Sequence, residues 1–476
     1  MTGAATSTGP STGTAGGKGG VIEARSIEVV PDGERHGKPI SQFTLWFGAT
    51  TQITAVVDGA LAVVFGADPI WAIIGLLIGN LLGGAVMALH SAQGPLLGLP
   101  QMISSRAQFG VFGAAIPLLL VIVMYLGFAA TGTVLSGQAI NQIIGISLPW
   151  VGIVIFGLLT LLIALLGYKV IHRMGRIATV LGVLGFGFLT VQVFRTVDVG
   201  ALIGGMQFAW PPFLLSVALG AGWQLTFGPY VADYSRYLPR STKPRTTFTY
   251  TLLGSVIGSQ WSMTLGALVA TLPALGGQTF LANQVGFLGA IAGPGLAAIA
   301  IYLVIVSGKL TVNSLNAYGG FMCALTTVAG FRRTATVSRL VRGLYITGFI
   351  AVSVIIALAA SADFLDNFKN FVLVLLMVFT PWSAINLIDF YLISKERVDV
   401  PSLYDPDGRY GRWNVRALAC YAIGIAVQIP FLAQKLYTGP ITELLGGADI
   451  SWMVGLVITG GLYYLLARGN RDRVPA

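Results

Sequence analysis

Apolar runs of about 20 residues, the length a helix needs to cross a hydrocarbon core of ~30 Å, recur along the whole of this chain. Lipid offers the backbone no hydrogen-bond partners, so such runs fold either as helices or as strands of a closed barrel. Barrel strands alternate apolar and polar residues, and runs such as Leu118–Ala130 and Val151–Leu166 do not. Helices are therefore expected. Composition agrees, since 55% of residues are hydrophobic and 10% charged, against roughly 25% charged in soluble domains. The fold class is an all-α polytopic membrane protein.

About twelve spans fit the pattern. They lie near residues 42–66, 69–90, 111–140, 148–167, 174–194, 210–232, 247–275, 291–325, 340–361, 368–394, 413–434 and 450–468. The third and eighth exceed a straight crossing, which implies tilt or a break. With the amino terminus inside, every Lys and Arg near the span ends falls on one side except Arg195, Lys369 and Lys435. A missed or extra helix would scramble that asymmetry, so it supports both the even count and cytoplasmic termini, in a plasma (inner) membrane. Residues 1–40 are expected to form a disordered cytoplasmic tail, 41–468 a transmembrane transporter domain and 469–476 a second cytoplasmic tail. The first 20 residues are rich in Gly, Ser and Thr and carry no apolar signal segment. Gly94–Arg106 is too broken for a span and too apolar for an ordinary loop, and it is expected to pack at the inner face.

The net charge of +10 does not indicate nucleic-acid binding, because the cations sit in short loops where they orient spans. Cys323 and Cys420 are isolated thiols, and His36, His90 and His172 show no ligand spacing, so no disulfide framework, metal site or cofactor is indicated. Span interiors hold no HExxH, carboxylate pair or Ser/His/Asp set, which argues against an enzyme. A channel would want a repeated filter or a ring of charge, which this chain lacks.

Inverted-repeat transporters place their ligands where two corresponding helices are interrupted near mid-membrane. Spans 1 and 6 are five helices apart and cross in opposite directions. The first carries Trp46-Phe47-Gly48-Ala49-Thr50-Thr51-Gln52-Ile53 midway, and the sixth carries Gly220-Ala221-Gly222-Trp223-Gln224-Leu225-Thr226-Phe227-Gly228-Pro229. Span 8 places Lys309, Asn313 and Asn316 inside the membrane, where a lysine costs roughly 2.5–3.5 kcal/mol, so these side chains should face a wet cavity or a partner. Trp223 lies beside the expected break, where an indole can stack on a flat ligand. Asp233 and Arg236 are expected to form an ion pair that closes an inner gate. Asp58 and Asp389 read as helix-end caps or anchors.

Asp233-Tyr234-Ser235-Arg236-Tyr237-Leu238-Pro239 resembles the signature of purine–cytosine permeases within the nucleobase–cation symporter-1 family. Trp46-Phe47-Gly48-Ala49, the run Thr311–Gly320 and the run Pro381–Tyr391 are similar to family segments as well. The resemblance implies a LeuT-type five-plus-five inverted repeat with broken helices 1 and 6. It implies import of a nucleobase, or a related flat heterocycle, by symport with H⁺ or Na⁺. By position it implies that Trp223 and Phe128 flank the ring while Gln52, Asn313 and Asn316 bond its edges. It likewise implies a cation site at the Gly48–Ala49 backbone with Ser307 and Thr311, close to Lys309. Phe128 and Gly132 depart from the tryptophan and polar residue found in many relatives. A lysine near the cation site favours H⁺ over Na⁺. The alternative is Na⁺-coupled transport of a non-nucleobase ring such as allantoin, a hydantoin or a ring-containing vitamin.

Overall fold

A computed structural model describes residues 27–166, 168–332, 338–435 and 437–469, and most of the two expected tails lies outside them. The first half of the chain forms α1 (Ile40–Thr50), α2 (Ile53–Val64), α3 (Pro69–Leu97), α4 (Gln101–Ser104), α5 (Arg106–Phe109), α6 (Ala115–Ile144), α7 (Pro149–Leu166) and α8 (Tyr168–Thr196). A short α9 (Val199–Gly204) leads to α10 (Trp210–Leu225), α11 (Ala232–Ser235), α12 (Pro244–Val269), α13 (Gln284–Ala292), α14 (Leu296–Arg332), α15 (Arg339–Ala360) and α16 (Phe364–Leu387). Then come α17 (Val415–Ala426), a two-residue hairpin of β1 (Ala433–Gln434) and β2 (Tyr437–Thr438), α18 (Pro440–Leu444) and α19 (Ser451–Ala467). Among the described residues, eight helices are long and apolar enough to cross a membrane, and the bent pair α1/α2 makes a ninth. The remaining expected spans are the interrupted α10–α11 and the shorter apolar segments Val415–Phe431 and Ser451–Ala467.

The two halves repeat one order, a broken crossing followed by four more. The link between the second and third crossings holds α4 and α5 at the end of the molecule where Arg35, Arg106, Arg236 and Arg412 gather, here called the basic end. The equivalent link in the second half holds α13, which packs on α6 and α14 at the opposite end. That reversal is the signature of an inverted repeat.

Helices α1/α2, α3, α10 and α12 form one packed bundle, and α6, α7, α8, α14 and α15 form a second. Small residues let the first bundle close tightly. A Cβ on Gly79 would strike the Val217 carbonyl, and one on Gly220 would lie 2.6 Å from the Leu76 carbonyl. Gly258 and Gly266 do the same for α12 against α1 and α2.

Span 1 breaks where expected. Thr51 and Gln52 leave helical geometry and the axis turns by 61°. The local cause is legible: the Thr50 and Thr51 hydroxyls donate to the Trp46 and Phe47 carbonyls, at 2.7 and 2.8 Å, and compete with the helix ladder. Span 6 is interrupted at the far end of the run Gly220–Pro229. Its helix runs unbroken through Gly220 and Gly222, which serve close packing against α3 and Val372. The interruption comes later, as a tight turn over Gly228–Tyr230, where Pro229 removes a backbone donor. Residues 27–39, assigned from sequence to a disordered tail, are docked: Val30 is buried and its amide donates to the Gly98 carbonyl at 2.9 Å, while the Arg35 guanidinium donates to the Pro95 carbonyl at 2.6 Å. Gly94–Arg106 packs at the basic end, with α3 extending into it through Leu97.

Candidate functional site

Position on α14 decides what each polar residue can meet. Lys309, Asn313 and Asn316 follow helical spacing i, i+4, i+7 and share one face, and all three are buried. Ser307 and Thr311 stand two residues from Lys309 and so point away from it. The five residues expected at one cation site therefore divide into two places. The Lys309 Nζ donates to Gln52 Oε1 at 2.7 Å and to Thr54 Oγ1 at 2.9 Å, across the break of span 1. The Gln52 amide donates in turn to the Ala49 carbonyl at 2.8 Å, so Ala49 and Lys309 belong to one chain of contacts. Gly48 and Thr311 face α8 instead, at Thr179 and Gly175, and the Ser307 hydroxyl donates to the Val304 carbonyl of its own helix.

Asn313 Nδ2 donates to the Ala129 carbonyl at 2.8 Å and to Thr133 Oγ1 at 3.2 Å on α6. A Cβ on Gly132 would run into Asn313 Oδ1 and lie 3.2 Å from the Lys309 chain. Gly132 is thus what admits the polar face of α14. Asn313 Oδ1 and Asn316 Nδ2 are buried with no hydrogen-bond partner among the described residues. An acceptor and a donor on adjacent turns are left for something else.

Phe128 and Trp223 meet edge to face, with centroids 6.0 Å apart and planes at 88°, so a ring placed between them requires one to turn. Trp223 is held from behind: its indole Nε1 donates to Ser259 Oγ at 3.0 Å, and Gln224 Nε2 bonds both Ser259 Oγ and Asn80 Oδ1. None of Asn80, Gln224, Ser255 or Ser259 was singled out from sequence, since single polar residues in apolar helices give no pattern. From Trp223 an aromatic column of Phe227, Trp46, Tyr230, Tyr234 and Tyr125 leads toward the basic end. Tyr234 in that column adjoins Asp233 in the chain, where sequence places an Asp233–Arg236 gate. The Asp233 carboxylate accepts the Gln101 amide at 2.8 Å, and Arg236 Nε donates to the Asp233 backbone carbonyl at 3.2 Å while its guanidinium lies over the Tyr237 ring.

A second buried polar cluster joins the bundle to α16 and α19 at the basic end. Gln101 bonds His90 and Gln93, Gln93 donates to Asn386, Asn386 to Gln108, and Gln108 to Asp389. Asp389 also accepts from the Tyr463 hydroxyl at 2.8 Å. It sits in a π-helical turn over Ile388–Ile393 and is a network member rather than a helix-end cap. His90 stacks on Trp382 at 4.6 Å and meets Ser383 Oγ at 3.2 Å. Asp58, also expected to cap a helix end, lies in the middle of α2 and is fully buried.

Residues 29–455 match the family described as permeases for cytosine/purines, uracil, thiamine and allantoin. A putative purine-cytosine permease, YxlA of Bacillus subtilis, is 37% identical over 449 residues, covering 94% of this chain and 96% of the relative. The purine-cytosine permease fcyB of Emericella nidulans is 26% identical over 460 residues, covering 94% and 88%. Among solved structures, Mhp1, a nucleobase-cation-symport-1 family transporter in a closed conformation with bromovinylhydantoin bound, superposes with a TM-score of 0.72 at 20% identity and covers 96% of this chain and 97% of its own. That likeness shows the fold, a LeuT-type inverted repeat. The sequence match over nearly the whole length shows the rest, and the chain belongs to the family of permeases for cytosine/purines, uracil, thiamine and allantoin.

Proposed function

We propose that this protein imports a nucleobase-like planar heterocycle by symport with H⁺. The observation that carries this reading is the pair of buried, unpartnered groups Asn313 Oδ1 and Asn316 Nδ2 on the face of α14 that also bears Lys309. A buried polar group without a partner costs about 1–3 kcal/mol. A ring edge that offers a donor and an acceptor recovers that cost. Phe128 precedes Ala129, whose carbonyl Asn313 bonds, and with Trp223 beside it supplies π faces, while Gln52 adds an amide. The relatives named as purine-cytosine permeases support this substrate class.

The proton reading rests on Lys309. Its amine occupies the break of span 1, hydrogen-bonded to Gln52 and Thr54, and so carries the coupling proton there in the place of a bound metal cation. The basic end faces the cytoplasm of a plasma (inner) membrane, as the distribution of Lys and Arg favours. Closure there is provided by the aromatic column and by the Asp233–Gln101 contact.

Thermal stabilisation of the detergent-purified protein by cytosine, adenine, hypoxanthine, uracil, allantoin and hydantoin, at pH 5.5 and 7.5 with and without Na⁺, tests the site. One or a few rings should raise the melting temperature without any need for Na⁺. Trp223→Ala should remove that shift while the protein remains extractable, because base–aromatic stacking contributes about 1–3 kcal/mol. A shift retained by Trp223→Ala would take Trp223 out of the site.

A further inference from the structure

Asp58 is the strongest unexplained group in the molecule. It is the sole acidic residue of α2, has 0% exposure, and both its carboxylate oxygens are buried without a hydrogen-bond partner among the described residues. An ionised carboxylate left alone in an apolar interior is prohibitively costly, so a group of this kind is neutral or acquires a counter-charge. Its place in the helix says which. Asp58 follows Thr54 by four residues, so the two share a face of α2 with Cβ atoms about 5–6 Å apart. Thr54 Oγ1 accepts from Lys309 Nζ at 2.9 Å. One hydroxyl therefore separates the orphaned acid from the amine at the break, and the acid lies one turn farther from the basic end. Ser136, likewise buried with a free hydroxyl, stands one turn beyond Gly132 on α6, the glycine that borders Lys309.

Other charged and titratable groups on the elements packed against α2 lie elsewhere. On α16, Lys369 stands over the Phe65 ring and pairs with Asp366 at 3.4 Å, past the end of α2. On α3, His90 belongs to the basic-end network, on α6 Tyr125 meets Tyr230, and on α12 Arg245 begins the helix at the basic end. Helix α10 carries no charged residue. Lys309 is the one that bonds Thr54, one turn before Asp58 on the same face of α2.

We infer that Asp58 is the entry station for the coupling proton, and that Thr54 relays it to Lys309. This rests on the proton-symport reading above. When the half opposite the basic end opens, the Asp58 carboxylate takes a proton from water and becomes a neutral acid that can be enclosed. The acid then gives its proton to the Thr54 hydroxyl as that hydroxyl passes its own to the Lys309 amine, which leaves a carboxylate on Asp58 and an ammonium on Lys309. When the basic end opens, the ammonium releases that proton to water.

The test is uptake of radiolabelled cytosine, hypoxanthine and allantoin into proteoliposomes holding wild type or Asp58→Asn. For wild type, an acid-outside gradient of one pH unit should drive up to about tenfold accumulation per proton carried. Asp58→Asn should lose that accumulation completely while still exchanging labelled for unlabelled ring in counterflow. Accumulation retained by Asp58→Asn would overturn the role of Asp58 and leave proton symport standing. Wild-type accumulation that follows only a Na⁺ gradient would instead remove the proton reading itself, and Asp58's role with it. If Asp58→Asn fails to exchange, Asp58→Glu decides: the account requires proton-driven accumulation with its pH midpoint displaced, and an unchanged midpoint would overturn it.

Discussion

Two buried polar regions of this protein are built on opposite plans. At the basic end, Gln93, Gln101, Gln108, Asn386, Asp389 and Tyr463 bond one another in a series across α3, α4, α5, α16 and α19. The series pairs the amide groups of Gln93, Gln108 and Asn386 and leaves Gln101 Oε1 without a partner among the described residues. At the centre, the Asp58 carboxylate, Asn313 Oδ1, Asn316 Nδ2 and the Ser136 hydroxyl are also buried and have no partners among the described residues. Interior polar groups are nearly always paired, because the low dielectric makes an unpaired one expensive. A satisfied network holds elements together and needs nothing further. An unsatisfied one is stable only if the working cycle supplies partners, and here those are a ring edge and a proton.

The sharpest way to break this comparison is to remove the Lys309 amine, which shares a helix face with Asn313 and Asn316 and bonds Thr54 one turn before Asp58. Lys309→Met should abolish proton-driven uptake in proteoliposomes, and uptake that persists would place the coupling elsewhere. Next is Gly132→Ala, whose added methyl meets Asn313 Oδ1 and the Lys309 chain. Overpacking costs about 1–3 kcal/mol, so ring affinity should fall by roughly five- to 150-fold in a binding titration. The basic-end network should respond in the opposite sense. Gln108→Ala strands Asn386 Nδ2 and removes a donor from Asp389, so it should lower the melting temperature by an amount equivalent to about 1–3 kcal/mol with ring affinity unchanged. The smallest effect belongs to Ser307→Ala. Its hydroxyl bonds only its own helix, so uptake with or without Na⁺ should match wild type within about 0.5 kcal/mol. A Na⁺-dependent loss would restore Ser307 to a cation site.

Sequence reasoning reached the span order and a break within Trp46–Ile53 because apolar run length and a polar, glycine-bearing run at mid-span are local signals. For span 6 it gave the run Gly220–Pro229 without a position inside it, because glycine has two uses in membrane helices. Gly220 and Gly222 serve close packing, and only the Gly228-Pro229 turn interrupts the helix. Lys309, Asn313 and Asn316 were legible as one face, since spacing along a helix is enough to join them. The partners of Lys309 across the break, the support of Trp223 by Ser259 and the buried position of Asp58 depend on contacts between distant segments. Asp389 reads as an end cap until the helix is seen to continue as a π turn and Gln108 and Tyr463 arrive from elsewhere in the chain. Residues 27–39 look like tail by composition, yet Val30 and Arg35 dock on the end of α3.

The most direct test of the account is to count protons against rings. Purified protein in proteoliposomes, with a pH indicator inside and labelled cytosine, hypoxanthine or allantoin outside, reports both fluxes at once. The account predicts that ring entry acidifies the lumen in step with uptake, in buffer free of Na⁺ as well as with it. Ring entry without acidification, or entry that requires Na⁺, would contradict it.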